Sequence, residues 1–86
     1  MESRRYKVGA DGSVEVSTHG SVSATTATSV SVTAADGAVV SCSVPTGTDL
    51  SKFPVGASVK MHCDRIAGEF RLAYLKSDQA VIEIER

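Results

Sequence analysis

Residues 30–42 read VSVTAADGAVVSC, and this stretch decides the fold. Apolar side chains recur at every second position on both sides of Ala35-Asp36-Gly37: Val30 and Val32 before it, Val40 and Cys42 after it. Period-two alternation is the mark of a half-buried strand, whereas an amphipathic helix repeats every three to four residues. A slip of one residue would turn every inward side chain outward, so the alternation also fixes the turn. A three-residue loop sets Val32 opposite Val40 and Val30 opposite Cys42, with Gly37 in the left-handed conformation that other residues resist.

The same device recurs upstream. Ala10-Asp11-Gly12 as a loop sets Val8 opposite Val14 and Tyr6 opposite Val16, while a two-residue Asp-Gly turn would oppose Val8 to Glu15. Downstream, a loop at Arg65-Ile66-Ala67-Gly68 faces Cys63 with Phe70, Met61 with Leu72 and Val59 with Tyr74. A loop at Ser77-Asp78-Gln79 then sets Tyr74 opposite Ile82, Leu72 opposite Ile84 and Arg71 opposite Glu85. Between Pro45 and Pro54 the alternation stops. There Thr48 or Asp49 can cap a single helical turn, near residues 48–53, whose Leu50 and Phe53 plug one end of the structure.

Meandering strands with one short plug predict an all-β fold, a small closed or half-closed barrel of antiparallel hairpins, because closure removes sheet edges. An OB-like barrel is the first expectation, an SH3-like barrel the alternative and an open β-sandwich the third. Residues 1–86 form a single domain, with 1–18 as an N-terminal hairpin and 19–86 as the OB-like core. At 86 residues and 5% aromatic content without Trp, one core built from Val, Ile, Leu and Ala is all the chain can fill.

Cys42-x-Val44-Pro45, Asp49-Leu50-x-x-Phe53, Val55-Gly56-x-x-Val59-Lys60-Met61 and Leu75-x-Ser77-Asp78 give the chain a second kind of signal. In these phrases, within the span Gly20 to Glu85, it resembles small bacterial OB-like barrel domains of uncharacterised function. The resemblance implies that fold and a bacterial setting. Its residues are packing and turn residues, so it transfers no catalytic or binding role.

A formal net charge of -1 supplies no general attraction to phosphate or anionic lipid. The opening Glu2-Ser3-Arg4-Arg5 is charged and no long apolar run follows, which favours a cytoplasmic protein with no membrane contact. Cys42 and Cys63 lack the close spacing of a zinc or redox motif, even when His19 and His62 are added. Two reduced core thiols are the favoured reading and a disulfide the alternative; no metal and no cofactor are expected.

Nucleophile elbows and phosphate loops are absent, so no enzyme is expected. Asp36, Asp49, Asp64 and Asp78 read as turn or cap residues. His62 alternates outward and is expected in solvent opposite Arg71. Lys60, His62, Arg71 and Lys76 project from the outer face with Arg65 in the adjoining loop, which makes a small basic face. Against nucleic acid, Tyr6, Phe70 and Tyr74 have inward parity, leaving no aromatic free to stack a base. Val39, Leu75 and Val81 have outward parity, as at a contact with a protein partner or a second copy. The expected function is thus a non-enzymatic protein-interaction or accessory binding module, with a single-stranded nucleic-acid-binding domain as the alternative.

Overall fold

A computed structural model describes the backbone of residues 4–8 and 14–84, and the side chains of Val8 and of residues 14–84. Seven strands form one sheet: β1 (Arg4–Val8), β2 (Val14–Thr25), β3 (Ser29–Ala34), β4 (Val39–Ser43), β5 (Ser58–Ile66), β6 (Glu69–Lys76) and β7 (Val81–Glu83). No helix occurs among the described residues. The strand order β2-β3-β4-β6-β5 returns to β2 through a β2–β5 pairing, so the sheet closes into a ring. All pairings are antiparallel except β4 with β6, which meet in parallel at a single register pair, Ser43 with Arg71. β1 and β7 are added outside the ring, on β2 and β6.

Where alternation is uninterrupted, the turns follow it. Val30 pairs with Cys42 and Val32 with Val40, and Gly37 has φ +88°, as the three-residue loop requires. The Ala34 N–H and carbonyl close that loop with Ala38 and Gly37 at 2.8 and 2.9 Å. Tyr6 pairs with Val16 and Val8 with Val14, although the loop Ala10-Asp11-Gly12 itself lies outside the described residues. β2 runs unbroken through the expected 18/19 boundary, so the hairpin and the ring share one strand.

The last two hairpins depart from the expected register. The β5–β6 turn is Ala67-Gly68, both with positive φ (54° and 79°), which is the two-residue geometry that suits strand twist. Arg65 therefore lies inside β5, opposite Phe70, not in a loop. Cys63 pairs with Leu72 but His62 pairs with Tyr74, so Ala73 is an extra residue, a β-bulge. Beyond the bulge the faces exchange. Leu75, expected outward, is fully buried, and Tyr74, expected inward, is 37% exposed. The β6–β7 loop is one residue longer than expected, Ser77 to Ala80, and pairs Leu75 with Ile82. The two shifts compensate: Ile82 and Ile84 still pack against the core. Glu85, the expected partner of Arg71, lies outside the described residues.

The core inside the ring is Val16, Val22, Val30, Val32, Val40, Val44, Val59, Met61, Leu72, Leu75 and Phe53, with Cys42 and Cys63. Phe53 is the plug, 1% exposed, and Leu50 packs beside it. The expected helical turn is a hydrogen-bonded turn only: the Phe53 N–H donates to the Leu50 carbonyl at 2.9 Å. Asp49 accepts from the Ser51 N–H at 2.9 Å, and its hydrogen bonds with Ser51 hold its carboxyl below the ordinary range. Cys42 and Cys63 are joined in a disulfide, with Cα atoms 6.5 Å apart, in place of the two reduced thiols favoured from sequence.

Candidate functional site: the outer face of β2, β5 and β6

Strand pairing arranges the outward side chains of β2, β5 and β6 in three rows. The first is His19–Lys60–Lys76, set by the pairs His19 with Lys60 and Lys60 with Lys76. All three are exposed. They make no ion pair among the described residues. Like charges directly opposite on neighbouring strands repel, so Lys60 and Lys76 leave an attraction for an anion unsatisfied. With Ser58, Ser77 and Asp78 they border a hollow of about 260 Å³.

The second row is Ser17–His62–Tyr74. The bulge at Ala73 brings Tyr74 beside His62, and the rings stack with centroids 5.4 Å apart and planes 6° from parallel. His62 is therefore not opposite Arg71 and not free in solvent; its side chain is 22% exposed. Its Nδ1 lies 2.9 Å from the Ser17 hydroxyl.

The third row is Glu15–Asp64–Arg71. Asp64 is a strand residue, not the turn residue expected from sequence. Its Oδ1 and the Glu15 Oε1 lie 3.5 and 3.4 Å from His62 Nε2. Arg71 also approaches Glu69, at 3.9 Å. The expected basic face is thus divided. Lys60, His62 and Lys76 come together, Arg71 sits among carboxylates, and Arg65 lies near the far end of β5.

Ser17, His62 and the two carboxylates have the chemical order of a hydrolytic triad, but not its setting. The backbone of Ser17 and its neighbours is paired with β1 on one side and β5 on the other, so their amides are engaged in the sheet and not turned toward the hydroxyl as an oxyanion hole requires. The apolar patch expected from Val39, Leu75 and Val81 does not form. Leu75 is in the core, and the exposed Val39 and Val81 stand at opposite ends of β6. Sequence alone does not mark His19, Glu15, Ser17 and Asp64 as residues of this face. Outward parity is their only local signal, and the β2–β5 pairing that unites them spans more than forty residues. The disulfide also removes both thiols from any metal quartet with His19 and His62.

Among the described residues, no helix is long and apolar enough to cross a membrane. No family model matches the chain, and no curated protein or solved structure matches it.

Proposed function

We propose that the protein is a non-enzymatic binding module of OB-like architecture whose β2–β5–β6 face takes single-stranded nucleic acid. For the architecture, the support is a five-strand ring with the plug between β4 and β5. For the function, one observation carries the reading: exposed Tyr74, stacked on His62, stands one row from His19, Lys60 and Lys76. The rows are two residues apart, roughly 7 Å along the strands. A strand laid across them places phosphates against the cations and a base against the aromatic pair, the combination that single-strand binders use. The outward β3–β4 surface is hydroxyl-bearing at Ser31 and Ser41, which bond each other at 2.7 Å, and offers no cation or ring.

This reverses the order of preference drawn from sequence. Alternation alone turns Tyr74 inward and makes Leu75 part of a protein-contact patch; the bulge exchanges them, which strengthens the nucleic-acid reading and weakens the other. The buried disulfide fits an oxidising compartment better than the cytoplasm.

The test is fluorescence anisotropy of labelled single-stranded DNA and RNA at two salt concentrations. Salt-sensitive binding is expected. A Lys60→Ala, Lys76→Ala double variant should flatten the slope of log affinity against log salt by about 0.7 for each phosphate left without its cation. Tyr74→Ala should cost about 1–3 kcal/mol. Absence of binding at low salt, or binding indifferent to all three substitutions, refutes the reading and returns attention to a protein partner or self-association.

A further inference from the structure

We propose that Glu15, His62 and Asp64 bind a divalent metal ion of the zinc class. The proposal uses the third row and the imidazole edge facing it, so it does not rest on the nucleic-acid reading. Glu15 and Asp64 are directly opposite on β2 and β5, with Arg71 beyond Asp64 on β6, so two carboxylates face each other across one strand gap. His62 points its Nε2 into that gap, 3.4 Å from Glu15 Oε1 and 3.5 Å from Asp64 Oδ1. All three ligand atoms lie within 4.8 Å of one another. Ligands on a tetrahedral zinc, with bonds of about 2.0–2.2 Å, are themselves separated by about 3.4 Å. The two distances from Nε2 therefore already match edges of such a tetrahedron, and the carboxylate oxygens lie within 4.8 Å of each other.

Two further contacts prepare the histidine as a ligand. Ser17 lies 2.9 Å from Nδ1 and its hydroxyl can accept a proton donated from there, the tautomer in which the Nε2 lone pair serves the metal. Tyr74 stacks on the ring and restrains its rotation. A mixed nitrogen and oxygen donor set suits zinc and its neighbours better than magnesium or calcium, which favour oxygen alone. Asp64 needs to give only one of its oxygens. The side chains of His62, Glu15 and Asp64 are 22%, 37% and 29% exposed, so an ion can reach them without any rearrangement of the sheet.

The experiment is zinc titration of the tag-free, oxidised protein by calorimetry, with the ¹⁵N resonances of the His62 ring recorded in parallel. One equivalent is expected to bind, moving Nε2 far more than Nδ1. His62→Gln and Glu15→Gln should abolish saturable binding, while Ser17→Ala should weaken it about tenfold. Lys60→Ala, Lys76→Ala should retain it. Melting temperatures without zinc establish that each variant is folded, and Glu15→Gln carries the test if His62→Gln is not. No saturable binding, or binding that survives both glutamine variants, overturns the proposal.

Discussion

Thr18 has inward parity, between Val16 and Gly20, and is 3% exposed, yet its buried hydroxyl has no hydrogen-bond partner among the described residues. A buried polar group left unsatisfied costs about 1–3 kcal/mol. Thr18→Val keeps the branched shape and removes the hydroxyl, so the expected outcome is a higher denaturation midpoint, by the equivalent of about 1 kcal/mol. A lower midpoint would mean that the hydroxyl is satisfied in solution. Neighbouring outward residues obey the opposite logic. Ser17 and His62 keep their polar groups at the surface and direct them at each other, which makes the outer face chemically specific while the inner face stays almost wholly apolar.

At the scale of elements, β2 is the strand on which the structure turns, because it pairs with β1, β3 and β5. Gly20 is the residue that permits this. A Cβ there would stand 2.0 Å from the Thr33 carbonyl oxygen and 2.8 Å from its carbon, both backbone atoms that cannot readily yield. Gly20→Ala should therefore destabilise by about 1–3 kcal/mol, as overpacking does, with the loss visible in thermal melting. An unchanged melting temperature would show that β2 and β3 are less closely apposed. Elements of this kind also explain what sequence can reveal. The hairpins around Asp11-Gly12 and Asp36-Gly37 are legible in register because their strands alternate without interruption. β6 is not, because Leu72-Ala73-Tyr74-Leu75 carries apolar residues in both phases, and nothing local announces which one is skipped. That single ambiguity hides the stacked pair at His62 and Tyr74 and suggests an apolar patch that does not exist. Lys60 and His62 are recognisable as outward from β5 alone, whereas Lys76 shares the phase of Tyr74 and turns outward only through the bulge; their companions on β2 depend on a long-range pairing that no periodicity encodes.

For the whole molecule, closure is unequal around the ring. β2, β3, β5 and β6 are joined to ring neighbours by ladders of several residues, but β4 meets β6 at one pair, Ser43 with Arg71. Cys42 precedes that pair on β4, and its disulfide partner Cys63 lies on β5 opposite Leu72, the residue after Arg71. The covalent bond thus reaches over the poorly paired seam. Cross-linking residues 21 apart constrains the unfolded chain by about 3 kcal/mol. Reduction, or Cys42→Ala with Cys63→Ala, should lower stability by about that amount in denaturant unfolding; an unchanged midpoint would show that the bond contributes nothing. In mechanical terms the bond is a clasp. With it cut, the weak seam can part and present β4 and β6 to other molecules, so what the bond protects is solubility as much as fold.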